Sequence, residues 1–498
     1  MSPLETGILV LYFFILSILA VYGWHRYYLV YEYMKHRDKV PGPKPLPAEL
    51  PKVCIQLPIY NEMYVVDRLI DAVAEIEYPR EKLEIQVLDD STDETRAIAE
   101  LAVRRHAAQG LNIEYIHRTD RTGYKAGALE NGLTKTDAPF VAIFDADFVP
   151  PKDFLTRTLG HFYADEKVGM VQARWGHINQ DYSLLTKMQS IFLDGHFVLE
   201  HGGRNRAGCF FNFNGTAGIW RREVIADAGG WQHDTLTEDL DLSYRSQLRG
   251  WKFVFLPDLV SPAELPVEMN SFKSQQHRWA KGSIQTCRKV LPQILAADLP
   301  FKVKAEAFFH LTANFNYLLM IVLSALMFPA MYVRYSMGWT EMLLIDVPLF
   351  AAATFSVANF YTVCQRELYS DWVSRVKYLP VVMAVGIGLA VNNTRAVLEA
   401  VFRKESEFAR TPKYGVERAG DEWQAKKYHQ NMLVQPLIEV ALGVYFTGAV
   451  LYALANGIYG TLPFLILFQA GFLYIGGTSL VQQLAGENVL APQTANRT

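Results

Sequence analysis

Hydrophobic and polar positions change rhythm several times along this chain. Gly7 to Tyr22 is almost purely apolar, and the apolar character runs on with interruptions to about Tyr31. A helix needs about 20 apolar residues to span a bilayer, so residues 1–31 are expected to form a transmembrane anchor. From about Glu49 to Leu299 no run is long and apolar enough to span. Short apolar runs there alternate with segments of helical spacing. Strands are expected at Val53–Leu57, Glu84–Leu88, Asn112–His117 and Phe140–Phe144. Helices are expected at Glu62–Ala74, Glu94–His106 (capped by Asp93), Tyr124–Leu133 and Glu238–Leu248. Such alternation implies an α/β domain, a mainly parallel sheet covered by helices, over residues 52–265. A proline-rich linker, 32–51, joins it to the anchor.

The remainder is again apolar. Residues 266–304 are expected to form interfacial helices, and 305–498 a transmembrane bundle with spans at about 308–334, 342–364, 433–455 and 462–481. Residues 378–402 are apolar enough to span but have basic flanks. Arg366, Arg375 and Lys377 precede them, and Arg403, Lys404, Arg410 and Lys413 follow. Both flanks are therefore expected on the cytosolic side. Asn392, Asn393 and Arg395 would also be costly in lipid, which makes the segment re-entrant or interfacial. The anchor has Glu5 and no Lys or Arg before it, and a basic run after it. That asymmetry orients the N-terminus outward and the α/β domain inward, and five crossings leave the C-terminus inside. The expectation is a multi-pass protein of a bacterial inner or plasma membrane with a cytosolic catalytic domain.

Composition narrows the picture. The net charge is −3, which gives no reason to expect nucleic-acid binding, and 50% of the residues are hydrophobic. The four cysteines are far apart with no CxxC pair, so neither disulfides nor a zinc site is expected.

The chemistry lies at the strand ends, where open α/β sheets bind ligands. The first strand runs into Pro58-Ile59-Tyr60-Asn61-Glu62, the second into Asp89-Asp90, and the fourth into Asp145-Ala146-Asp147. A lone DxD is more simply read as a turn or helix cap. Carboxylates at three neighbouring strand ends repel one another, and a divalent cation such as Mg2+ or Mn2+ is the simplest resolution. Thr237-Glu238-Asp239 opens a helix. Gln275-Gln276-His277-Arg278-Trp279 precedes the spans, where Arg and Trp could also mark a membrane interface.

In this order the residues resemble the membrane-embedded, processive branch of the family 2 glycosyltransferases: Asp90, the DxD of Asp145 and Asp147, the TED ending in Asp239, and the QxxRW of Gln275, Arg278 and Trp279. The match is closer still to the cellulose synthase-like A group of glucomannan synthases. QVLDDSTD (86–93), GYKAGAL (123–129), VAIFDADF (141–148), FNGTAGIWR (213–221) and GWKF (250–253) carry it. Phe408-Ala409-Arg410-Thr411-Pro412-Lys413, within 403–416, is similar to the FxVTxK gating loop of cellulose-synthase-type enzymes, with Arg410 in place of the usual valine.

The resemblance implies a Rossmann-like GT-A domain inserted in a helical membrane bundle. It also implies hexose transfer from a nucleotide-diphosphate sugar, UDP-glucose or GDP-mannose. By the same resemblance Asp147 is the metal ligand, and Asp145 shares the metal or contacts the donor. Pro58, Tyr60, Glu62, Asp89, Asp90 and Lys125 belong to the donor site with Gln275, Arg278 and Trp279; Lys125 by spacing alone could equally be a solvated helix lysine. Asp239, beside Glu238, is the general base. Trp175, Trp279 and the stretch Phe213, Asn214, Gly215 and Thr216 form acceptor walls. The product is a β-linked polysaccharide, or a glycolipid if a lipid is the acceptor. A transporter or scaffold that merely binds nucleotide sugar would need no general base, and the TED and QxxRW motifs argue against it.

Overall fold

The computed structural model describes residues 1–338, 343–404, 410–418, 420–424, 426–428, 432 and 434–494. Seven strands form one sheet in the order β3-β2-β1-β4-β6-β5-β7. They are β1 (Val53–Ile59), β2 (Leu83–Asp89), β3 (Ile113–His117), β4 (Phe140–Ile143), β5 (Val168–His177), β6 (Gly218–Arg221) and β7 (Lys252–Ala263). β1 to β4 run parallel, and β6 is antiparallel to both of its neighbours. β1 is apolar because both faces are covered, as parallel strands require.

The helix Val66–Ala74 lies on one face. It buries Val66, Leu69, Ile70 and Val73, an i, i+3, i+4, i+7 stripe. Each such side chain contributes about 1.5–3 kcal/mol by leaving water. The helix starts later than Glu62 because Asn61 takes a left-handed φ of 54° and the chain turns there. The opposite face is covered by Tyr124–Leu133 and Glu238–Leu248, both with the expected bounds. Register places Ile59 beside Asp89 and Gln56 beside Ile143, which aligns the tips of β1, β2 and β4 at one edge. All four cysteines are free and buried.

Most of the other described residues are helical. Among the described residues, four helices are long and apolar enough to cross a membrane: Pro3–Lys35, Phe315–Ser336, Val434–Ala455 and Tyr459–Ala485, where a short 3-10 turn runs into the last helix, Leu462–Thr494. Two expected boundaries move. The anchor helix runs on to Lys35, and residues 308–312 belong to a preceding helix, Phe301–Thr312. The span expected at 342–364 corresponds to a 26-residue helix, Leu343–Leu368. It packs closely on the anchor: a Cβ on Gly23 would lie 3.1 Å from the Ala353 Cα.

The segment with basic flanks is a helix pair, Leu379–Gly388 and Ala390–Val401, bent by 43°. Its asparagines avoid lipid. Asn392 is fully buried, and its Nδ2 donates to the Lys273 carbonyl at 2.8 Å. Lys273 lies on the 28-residue helix Met269–Ala296, which also carries the QxxRW residues and leads from the sheet to the bundle.

Candidate active site

The aligned strand tips open on a cavity of about 190 Å³. Its wall brings together Pro58, Tyr60, Glu62, Asp90, Lys125, Asp145, Asp147, Trp175, Asn214, Gly215, Glu238, Asp239, Gln275, Arg278, Trp279, Arg410, Thr411 and Lys413. These come from strand ends, from the start of two helices, from the helix leading to the bundle and from the distant segment 410–413.

Each carboxylate has a specific setting. The two oxygens of Asp90 accept from Arg118 Nε at 2.8 Å and Nη2 at 2.6 Å, a bidentate pair. Asp145 is held on both sides: its backbone N–H donates to Thr216 Oγ1 at 2.8 Å, and Lys125 Nζ pairs with its carboxylate. Lys125 also donates to the Gly215 carbonyl at 3.0 Å. Lys413 Nζ donates to Asp147 Oδ2 at 2.7 Å, and Arg410 Nη1 lies 3.1 Å from Glu62 Oε2. The Glu264 carboxylate anchors that segment by accepting the N–H groups of Tyr414 at 2.9 Å and Gly415 at 3.0 Å.

Burial dominates the electrostatics. It pushes Glu62 up to about 8, against the pull of Arg410. It raises Asp145 despite Lys125. Burial, then the neighbouring Glu238 charge, holds Asp239 up at about 7, while Lys125 pulls the other way. A carboxyl group in that range can take a proton near neutrality.

Three expected wall residues lie behind the wall instead. Asp89 is fully buried, accepting from Tyr115 Oη at 2.6 Å and from the Ser91 N–H at 2.8 Å. Phe213 sits in the core, edge-on to Trp220 at 5.5 Å, because its side chain alternates away from Asn214. Thr216 is buried and holds the Asp145 backbone. Phe408 lies outside the described residues.

Two arginines were missed. Arg118 grips Asp90, and Arg121 stacks 3.4 Å above the centroid of the Tyr60 ring. Both follow the end of β3, and the rule that strand ends carry the chemistry, applied to that strand as to its neighbours, would have found them. His177, at the end of β5, was missed as well.

A mostly parallel sheet with these strand tips, joined to membrane-crossing helices, defines a membrane glycosyltransferase of the GT-A fold. Residues 51–282 match the model of the glycosyltransferase-like family 2. Glucomannan 4-beta-mannosyltransferase 1 of Cyamopsis tetragonoloba is 34% identical over 446 residues, covering 86% of this chain and 82% of that protein. The chain belongs to this family of glycosyltransferases, of the cellulose synthase-like A type. Glucomannan 4-beta-mannosyltransferase 2 of Arabidopsis thaliana is 44% identical over 252 residues, 50% of this chain. That alignment spans about half of the relative, 47% of its length. Among solved structures, a mannosyltransferase from Pyrobaculum calidifontis in complex with GDP-Man and Mn2+ covers 81% of this chain with a TM-score of 0.52 and 21% identity. At that identity the likeness concerns the fold.

Proposed function

We propose that the chain transfers mannose from GDP-mannose, with inversion, to a hydroxyl at the end of a β-linked glycan, and so builds a β-mannan or glucomannan at a membrane. One observation carries the reaction type: Asp239, held near neutrality by burial and Glu238, shares a cavity with the DxD pair. The relatives named as glucomannan 4-beta-mannosyltransferases support the choice of sugar.

Asp239 accepts the proton of the acceptor hydroxyl as its oxygen attacks the anomeric carbon. The bond from that carbon to the diphosphate oxygen breaks, and GDP leaves from the opposite side. One displacement turns an α-linked donor into a β-glycoside. Arg278, from QxxRW, offers its guanidinium fork to the departing diphosphate, with Gln275 and Trp279 beside it. Lys125 fixes Asp145, and Arg118 fixes Asp90 toward the nucleoside.

Asp147 and Asp145 are the residues that would hold a divalent cation. Among the described residues no group of three or more His, Cys, Asp or Glu is placed to hold a metal alone. Asp145 and Asp147 pair with Lys125 and Lys413, and Mg2+ and Mn2+ often share carboxylate ligands with substrate phosphates. Such a cation would neutralise charge developing on the leaving diphosphate. The basic flanks support a catalytic domain on the cytosolic face with the N-terminus outside.

The test uses the full chain in nanodiscs with Mn2+ or Mg2+ and radiolabelled GDP-mannose or UDP-glucose. The expected result is label from GDP-mannose in an ethanol-insoluble fraction that β-mannanase digests. Label only from UDP-glucose would refute the donor assignment. Label in the organic phase would make the product a glycolipid.

A further inference from the structure

Three polar atoms on the cavity side formed by β5 and the 212–215 segment stand out. Trp175 Nε1, His177 Nδ1 and Asn214 Oδ1 are buried and have no hydrogen-bond partner among the described residues. All three side chains line the cavity. Trp175 and His177 are two apart on one strand and share a face. An unpaired buried polar atom is costly, so three together along a ligand cavity call for a ligand's hydroxyl groups.

The polarity of two of them is set from behind. His177 Nε2 lies 3.1 Å from Asp194 Oδ1, and the pair is almost fully buried. A carboxylate only accepts, so a ring proton sits on Nε2, and in the neutral imidazole Nδ1 is then an acceptor. Asp194 is held by the membrane-side segment: Gln365 Nε2 and Tyr369 Oη each donate to its Oδ2 at 3.1 Å. The second pair repeats the construction. His196 Nδ1 lies 2.8 Å from Glu200 Oε2, so in the neutral ring its Nε2 accepts from Asn214 Nδ2 at 2.9 Å. The Asn214 amide is thereby oriented with its Oδ1 unpaired.

Resting on the transferase reading above, we infer that Asp194–His177 and Glu200–His196 are positioning pairs that make this wall a hydroxyl-recognising subsite for the acceptor sugar, offering two acceptors and one donor to a pyranose ring. Asp194 and Glu200 do not touch the sugar; they dictate what His177 and Asn214 present to it. The tie to Gln365 and Tyr369 couples the subsite to the helix Leu343–Leu368.

Asp194→Asn is the decisive variant. An asparagine can keep its oxygen toward Gln365 and Tyr369 and turn its amide nitrogen to His177. The ring proton then moves to Nδ1, and the wall offers a donor where it had an acceptor. Glu200→Gln addresses the other pair and serves if the first variant fails to fold. The assay measures KM for a soluble β-linked manno-oligosaccharide acceptor and for GDP-mannose separately, with deoxy forms of the acceptor, on the full chain in nanodiscs. Each variant is expected to raise acceptor KM about tenfold, the factor that corresponds to about 1.4 kcal/mol, with donor KM unchanged. The wild-type penalty for a deoxy acceptor should shrink in the variants, which a merely structural role would not produce. An acceptor KM within about twofold of wild type in both variants, or a rise matched by donor KM, would overturn the inference. Absence of GDP release from the wild-type chain would instead sink the transferase reading.

Discussion

Gly215 carries a prediction that separates strain from chemistry. Its φ is +80°, a left-handed conformation, and a Cβ built there would lie 3.0 Å from Asp239 Oδ2 and 3.3 Å from Lys125 Nζ. Gly215→Ala therefore has two costs. The left-handed backbone costs an L-residue about 1–2 kcal/mol. The new methyl also makes the Asp239 carboxylate give way by a few tenths of an ångström. Misplacing a reacting group by about 1 Å can cost roughly 100-fold, so about tenfold in kcat is expected here. Gly208→Ala is the control. Gly208 has a φ of +72° with nothing within 4 Å of its Cβ position, so it pays the backbone cost alone. The assay is kcat by GDP release, with Tm by thermal shift in the same nanodiscs. Both variants should lose similar stability, and only Gly215→Ala should lose turnover. Wild-type kcat in Gly215→Ala, or an equal loss in Gly208→Ala, would refute the claim that Gly215 keeps space for the base.

Other outcomes follow from the same geometry. Asp239 must be ionised to accept a proton, so kcat/KM should fall about tenfold per pH unit below about 7; a flat acidic limb in a pH–rate profile contradicts the assignment. A carboxyl raised by folding favours the protonated form, so its contribution to stability is present at low pH and lost as pH rises through its folded value. Asp239→Asn should accordingly abolish transfer yet raise Tm relative to wild type at alkaline pH. Lys413 competes for Asp147, and Lys413→Met should tighten Mn2+ binding about tenfold in calorimetry, since charge-assisted hydrogen bonds contribute about 1.5–3 kcal/mol. Lys273 and Glu439 form a fully buried pair at 2.8 Å between the Met269–Ala296 and Val434–Ala455 helices. Glu439→Gln should cost about 3–5 kcal/mol by leaving Lys273 uncompensated, and pairing it with Lys273→Met should recover much of that Tm loss.

How far the site was legible in the sequence depended on chain distance. Asp90, Asp145 and Asp147 could be placed together because each follows an apolar strand, and parallel strands end on one edge. Gln275, Arg278 and Trp279 came through their ordered motif, since the spacing of a single helix says nothing about the sheet it faces. Residue type misled at Phe213, where alternation along the backbone turns an aromatic from the wall into the core while its neighbour Asn214 faces the cavity. Pairings across hundreds of residues had no signal: nothing near Lys413 marks Asp147 as its partner, and nothing near Gln365 or Tyr369 points to Asp194. Those long-range pairs are the ones that join the bundle to the chemistry. Lys413 comes from the segment between membrane helices and pairs with Asp147, the proposed metal ligand; Asp194 is held by residues at the end of the Leu343–Leu368 helix and pairs with His177 on the proposed acceptor wall. A shift of the bundle would therefore reach the donor and acceptor sides through different side chains. Perturbing one connection should alter donor or acceptor kinetics separately, which is how a glycan synthase could coordinate moving its product with admitting its next donor.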